Sequence, residues 1–372
     1  MKICCIFNIA PSYRETLYRM MDEDLSMEVD FLTGENPSGG IAVMDARRLE
    51  GFRGYLRNVY RKSGKLVWQR GWRKAFGRRY DAYILTGNAG IRSNWIIALL
   101  ARITGRKVYL WSHGLHGNES AGTLRKNMLY FRLASHILLY GERARDLLEA
   151  EGVPAGKMTV VYNSLNYFDQ LEVREHMGDS SFVRNYFGND RPYAAFVGRL
   201  IGGKKLDLLL ESLRSCDCNL ILVGDGPERE KLEKLAVQYG LADRVWFYGE
   251  SYDEQFTGTV LYHAAICVSP GSIGLTAIHS LTYGTPVITH DNLLAQAPES
   301  EAVVEGATGS YFRENDFGSL ADKITYYTLL SGDPASRSDL REECRKMVET
   351  KYNPLIQMEI LRRLFGMEFV EQ

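Results

Sequence analysis

Short apolar runs rich in β-branched and aromatic residues alternate with helix-period segments along most of the chain, and this alternation constrains the fold most. Strand, helix, strand units build parallel sheets covered on both faces. In the first half, strands are expected at 2–8, 27–33, 81–86, 107–112, 136–140 and 158–162. Among the helices between them, 91–104 is apolar along Ile96, Leu99, Leu100 and Ile103 and stops at Gly105. Periodicity fades over 163–192, a stretch containing Gly178, Asp179, Ser180, Ser181, Gly188, Asn189, Asp190 and Pro192, which reads as an interdomain connection. A second set of strands follows at 193–197, 219–223, 244–248, 265–269 and 286–289. A helix over 227–239 has Pro227 at its favoured first position and Gly240 just past its end. The expected fold is α/β, with two Rossmann-like doubly wound domains whose strand carboxyl ends face a shared cleft. At 372 residues the chain suits two such domains, at 1–175 and 190–345, with C-terminal helices over 346–372 crossing back toward the first.

Composition narrows the class. Hydrophobic residues make up 45% and charged residues 24%, and no apolar run reaches the roughly 18 residues that cross a bilayer. The opening ten residues are shorter and less apolar than a signal peptide and read as a strand. Of six cysteines, Cys4, Cys5 and Cys267 lie in apolar strand-like runs, so reduced, buried thiols are expected. Cys216 and Cys218 offer two metal ligands, but no second pair or nearby histidine completes a zinc site.

Net charge is −1, yet twelve Lys or Arg against the single acid Glu50 lie between Arg47 and Arg79. Phe52, Tyr55, Tyr60, Trp68, Trp72 and Phe76 are interleaved with them. Two readings stay open, a solvated helical surface or a lateral dock on anionic lipid. Nucleic acid is not expected as a partner, because the remaining residues carry net negative charge and no recognition motif appears.

The most informative segment is 269–288, where a strand enters the loop Ser269, Pro270, Gly271, Ser272, Ile273, Gly274 and then the helix from Leu275 and Thr276. Exposed amides there suit an anionic group such as a pyrophosphate, and Gly274 lets backbone approach it. His279, one turn on, is in reach of a ribose hydroxyl. A tight strand-to-helix turn is the other reading. The spacing Gly274-Leu275, then Gly284-x-Pro286-Val287-Ile288, resembles the donor-site motif of family-4 retaining glycosyltransferases. The family has glutamates where this chain has Gly271 and His279, which contact the donor sugar and the ribose.

A second match, Gly198-Arg199-Leu200 followed by Lys204, resembles the family's Gly-Arg-Leu and Lys-Gly, with Lys205 in place of the glycine. Arginine and lysine at a strand's carboxyl end suit a departing diphosphate. Gly224-Asp225-Gly226 and the backbone around Glu250 resemble the loops that pack the nucleobase. In the first half, Ser112-His113-Gly114 resembles the turn whose histidine lies beside the donor sugar. His116, Glu119 and Asn163 are acceptor-side candidates. The loop at Pro11–Arg14 lacks the paired glycines of many members, so no role is assigned to it.

The resemblance implies a GT-B fold and transfer of a hexosyl or N-acetylhexosaminyl group with retention, without a metal or other cofactor. The donor would be a nucleotide sugar, UDP favoured, and the acceptor a glycan or polyprenyl-linked sugar in assembly of a bacterial surface polysaccharide, lipopolysaccharide or capsule. A cytoplasmic location follows, peripheral on the inner face of the membrane under the lipid-dock reading. The implied catalytic residues are His113, Arg199 and Lys204. Donor contacts would be Gly198, Gly224, Glu250, Ser272, Ile273, Gly274, Leu275, Thr276 and His279. A UDP-sugar epimerase and a non-catalytic nucleotide-binding relative are the alternatives.

Overall fold

A computed structural model describes residues 1–24, 26–35 and 41–366. The chain divides into two compact units, 1–166 with the chain from Pro354 onward, and Tyr167–Asn353. The first unit holds β1 (Lys2–Phe7), β2 (Glu28–Glu35), β3 (Phe52–Tyr60), β4 (Leu66–Arg70), β5 (Ala82–Thr86), β6 (Lys107–Ser112), β7 (His136–Leu139) and β8 (Met158–Val160). They form one sheet in the order β4-β3-β2-β1-β5-β6-β7-β8, parallel except for the β3–β4 hairpin. The central β1, Lys-Ile-Cys-Cys-Ile-Phe, is buried on both faces beyond its first residue, as a strand covered by helices on each side requires.

Two strands lie inside the basic stretch, so the helical-surface reading of 47–79 is wrong. Its charges line an edge hairpin, where cations discourage edge-to-edge pairing. Its aromatic residues are mostly structural, since Trp72 and Phe76 pack on the core on one face of the sheet and Phe52 and Tyr55 on that of the other. Arg53 lies 2.7 Å and Arg78 3.4 Å from the buried carboxylate of Asp30.

The helix Arg92–Ile103 forms as expected but turns a different face inward. Leu99 and Ile103 are 50% and 72% exposed, while Ser93, Asn94, Ile97, Ala98 and Ala101 are buried. Small side chains let the helix sit close to the sheet, and two polar ones bond to it. Asn94 donates to the Thr86 carbonyl at 3.2 Å and Ser93 accepts from the Gln69 amide at 3.2 Å. Hydrophobic period identified the helix but not its buried face.

The second unit contains β9 (Tyr193–Val197), β10 (Asn219–Val223), β11 (Val245–Gly249), β12 (Ile266–Ser269), β13 (Val287–His290) and β14 (Gly309–Phe312). All are parallel, in the order β11-β10-β9-β12-β13-β14. The short β14 was not expected. Nor is 163–192 structureless, for it holds the helices Tyr167–Glu175 and Ser181–Phe187. These helices belong to the second unit: the Tyr186 ring stacks on Trp246 at 4.1 Å, and Gln170 donates to Glu254 at 3.3 Å. Pro227 precedes rather than opens its helix, which runs Arg229–Gln238. The helix Pro354–Phe365 packs within the first unit, where Arg362 donates to Asp24 at 2.6 Å. Residues 367–372 of the expected C-terminal helices lie outside the described residues. All six cysteines are buried free thiols.

Candidate functional site

In each sheet the strand order reverses once, between β1 and β5 in the first unit and between β9 and β12 in the second. The crevice beyond the strand carboxyl ends at such a switch point is where open α/β sheets bind ligands. In the second unit, Gly198 and Arg199 leave β9 while Pro270 to Ser272 leave β12.

The two loops are fastened together. The Gly271 amide donates to the Lys204 carbonyl at 3.0 Å, and Lys204 Nζ donates to the Ser272 carbonyl at 2.6 Å. Burial, reinforced by the nearby charge of Arg199, lowers the Lys204 pKa, so an anion placed beside these two cations would be stabilised by both. A Cβ at Gly271 would press on the Gly203 carbonyl oxygen and lie 2.7 Å from Lys204 Cα. Gly271 is therefore dictated by the approach of the Lys204 loop, whatever a glutamate does there in relatives.

The helix Thr276–Thr282 begins just beyond. Ile273 was expected to offer its amide to a ligand, but that amide donates to the buried Gln296 side chain at 2.9 Å. Gln296 in turn donates to Thr289 at 2.8 Å and to the His290 carbonyl at 2.9 Å, which braces the loop from behind. No acceptor among the described residues pairs with the amides of Gly274, Leu275 and Thr276. A Cβ at Gly274 would meet nothing within 4 Å, so space is open against that backbone. Thr276 Oγ1 donates to the Val197 carbonyl at 3.1 Å and ties the helix start to β9.

His279 is engaged by a residue that sequence reasoning missed. Its Nε2 lies 2.8 Å from Glu254 Oε1, which also accepts from the Tyr283 hydroxyl at 2.6 Å. Burial alone would raise the Glu254 pKa, but His279, Tyr283 and Gln170 hold it below the usual range. A carboxylate thus reaches His279 from a neighbouring helix, Glu254–His263. Nothing in the local sequence of either residue signals that pairing.

The remaining candidates frame the site. A Cβ at Gly224 would collide with the Gly198 carbonyl, so this pair permits the close approach of the loops after β9 and β10. The Gly224 amide donates to the Gly249 carbonyl at 2.7 Å. The exposed Glu250 accepts from the Tyr252 hydroxyl at 2.6 Å.

Lys205 has a left-handed backbone, φ 50° and ψ 42°. A non-glycine residue there costs about 1–2 kcal/mol, and its Nζ offsets part of this through Glu314 at 2.7 Å and Asn315 at 2.9 Å. Lys205→Gly is expected to unfold within about 1 kcal/mol of the parent, the relief of strain balancing the half-exposed ion pair. Lys205→Val, which keeps the strain and loses the pair, should lose more than about 1 kcal/mol; thermal unfolding of the two variants checks the order.

In the first unit a cavity of about 680 Å³ opens at the β1/β5 switch point. It is lined by the ends of β1, β5 and β6 and by Arg14, His113 and Glu119. Gly114, at φ 69°, turns the chain after β6 in space where a Cβ would meet Ala144 at 2.8 Å. The His113 ring lies 4.7 Å from that of Tyr140. Surrounding protein and then the Arg14 charge lower its pKa to about 4. Although cavity solvent reaches the ring, both effects act in one direction and leave the imidazole neutral at pH 7.

Glu119 clips its own loop, accepting from the amides of His116 at 2.7 Å and Gly117 at 2.9 Å. His116 is exposed. Asn163 is buried and accepts from Arg14 Nη2 at 3.1 Å. Arg14, to which no role was assigned, is buried among aromatic rings at this cavity. Its place just after β1 was legible, but the burial of its guanidinium was not.

Residues 179–347, most of the second unit, match the family model for glycosyl transferases group 1. The alpha-D-kanosaminyltransferase of Streptomyces kanamyceticus is 25% identical over 60% of this chain and 58% of its own length. The D-inositol 3-phosphate glycosyltransferase of Mycolicibacterium smegmatis is 31% identical over 43% of this chain and 38% of its own. The chain thus spans roughly half the length of these relatives. The crystal structure of Anabaena Alr3699/HepE in complex with UDP superposes with a TM-score of 0.70 at 16% identity, covering 99% of this chain and 100% of that one. With two Rossmann-like units of parallel sheet, the chain has the GT-B fold, and its second unit carries the match to glycosyl transferases group 1.

Proposed function

We propose that this chain is a retaining glycosyltransferase that moves a hexosyl or N-acetylhexosaminyl group from a nucleotide diphosphate to a glycan or lipid-linked acceptor. The observation that carries the reading is in the second unit, where the unpaired amides at Gly274 to Thr276 accompany Arg199 and Lys204 at the β9/β12 switch point. UDP is the favoured carrier; HepE has been crystallised with UDP and with UDP-glucose. As the glycosidic bond breaks, its electron pair passes to the diphosphate oxygen. Arg199, Lys204 and the amides stabilise that charge, which is the term most enzymes of this kind enlarge. A donor phosphate oxygen takes the proton of the attacking hydroxyl. The neutral His113 of the first unit offers both a donor and an acceptor to sugar hydroxyls.

Transfer itself is the test, with UDP-sugars screened against glycan acceptors and the anomeric configuration of the product read by NMR. An isomerised nucleotide sugar formed without acceptor would mean an epimerase, and UDP binding without turnover a non-catalytic relative. Bacterial surface polysaccharide, with work at the inner face of the membrane, is the setting we favour.

A narrower lipid-facing surface supports that setting. Arg61, Lys65, Arg92 and Lys126 line a groove of about 520 Å³ with Trp95, and Leu99, Leu100 and Ile103 are exposed on the helix that carries Arg92. Each cation near an anionic surface adds about 1 kcal/mol. Reversing all four to glutamate should abolish flotation with phosphatidylserine vesicles and leave it unchanged, near zero, with phosphatidylcholine alone. Equal flotation of variant and parent would remove the surface from the proposal. Among the described residues no helix is long and apolar enough to cross a membrane.

A further inference from the structure

The first unit's cavity contains a buried cation whose bonding is incomplete. Arg14 follows β1 and is 9% exposed. Its guanidinium lies 4.8 Å from the ring centroid of Tyr140 and 5.6 Å from that of Trp111. Nη2 donates to Asn163, and the hydroxyl of Tyr140 also faces the group. No carboxylate among the described residues comes within 4 Å of it; the cavity's own acid, Glu119, is occupied by the amides of its loop. Burial by itself would lower the Arg14 pKa, but Tyr140, Tyr18 and Tyr13 shift it upward, and a guanidinium carries its charge at neutral pH.

A second observation points the same way. Arg14 Nε and the indole Nε1 of Trp111, which is 3% exposed, are both buried without a hydrogen-bond partner, and both residues line this cavity. A buried N–H with no acceptor costs about 1–3 kcal/mol, and a buried charge without a counter-charge costs more. A purely structural arginine pinning Asn163 would account for Nη2. It would leave the guanidinium at the cavity wall without a counter-charge. An oxyanion entering the cavity would supply the counter-charge that Arg14 lacks, whereas a neutral sugar hydroxyl would leave the charge unpaired.

We propose that the cavity of the first unit binds an anionic group of the acceptor, a phosphate or a carboxylate, held by the charge of Arg14 in the wall that Trp111 shares. Arg14 is then the residue that selects a charged acceptor over a neutral one. Naming the ligand as the acceptor rests on the transferase reading above; the anion site itself does not.

The test uses the full chain and NMR of its five tryptophan indoles, with that of Trp111 assigned through Trp111→Phe. Titration with inorganic phosphate, and separately with methyl glucuronide, should move the Trp111 indole to saturation with at least one of the two, and so tell phosphate from carboxylate. Methyl glucoside, the neutral control, should not move it. Arg14→Gln should weaken that anion by on the order of tenfold or more and Arg14→Lys by less, while UDP still raises the melting temperature of both variants. If Arg14→Gln fails to fold, the titration of the parent chain decides alone. A Trp111 indole that stays still with both anions overturns the site. An indole that moves with UDP, together with weakened UDP binding in Arg14→Lys, would assign the anion to the donor and overturn the acceptor assignment. Loss of transferase activity in every donor and acceptor pair, with anion binding intact, would count against the transferase reading and leave the anion site standing.

Discussion

Arg199→Ala and Lys204→Ala are each expected to lower turnover about 10²–10³-fold, equivalent to about 3–4 kcal/mol of lost transition-state stabilisation. Arg199 follows β9, and Lys204 Nζ reaches the Ser272 carbonyl of the loop whose next amides have no internal acceptor. In the proposed mechanism they act on the charge that appears on the leaving diphosphate, so kcat should fall further than donor affinity. The two variants should differ in a second respect. Arg199 is exposed. Lys204 also holds the Ser272 carbonyl, so its removal should loosen the donor loop and weaken UDP binding as well. Because the two cations act on one developing charge, the double variant should lose less than the product of the single effects. Turnover at the parental rate in both single variants, measured with a matched donor and acceptor, would remove these residues from the mechanism.

Gly271→Glu should damage the protein, although it restores the acid that relatives place before the Gly-Leu of the motif. The new Cβ has no room, because the backbone of Gly203 and Lys204 occupies its position and the Gly271 amide is bonded to the Lys204 carbonyl. Backbone cannot rotate aside as a flexible side chain can, so one of the two loops must move. Overpacking of this kind typically costs about 1–3 kcal/mol. Moving the Lys204 loop would also displace the cation that the proposed chemistry needs. The expected result is a lower melting temperature together with loss of the thermal shift given by UDP. Gly271→Ala separates the causes: it carries the same Cβ without the carboxylate, so it should reproduce most of the destabilisation. A Gly271→Glu variant with parental stability and stronger UDP binding would show that the loops part easily and that the missing acid is a simple loss.

Much of this was legible in the sequence. Strands β6, β9 and β10 begin and end where hydrophobic alternation placed them, because short apolar runs between turn residues leave little freedom of register. The GT-B fold, and the grouping of Lys204 with the Ser272 loop, were implied by the resemblance that those motifs carry. Periodicity was a poorer guide where polar residues do structural work. The helix Arg92–Ile103 turned its larger apolar side chains outward because Ser93 and Asn94 had partners on the sheet. The edge hairpin β3–β4 was hidden by its own cations.

Other features were decided only by residues far apart in the chain. Gly271 is required by Gly203 and Lys204, the Ile273 amide is taken by Gln296, and His279 is held by Glu254. The left-handed backbone of Lys205 is anchored through Glu314, and the burial of Arg14 depends on Tyr140, Trp111 and Asn163. The sequence by itself determined the alternation of elements, the fold class and which loops carry charge, since these follow from local period and composition. Only the tertiary structure decided which donors remain unpaired, because hydrogen bonding and desolvation depend on what each group meets in space.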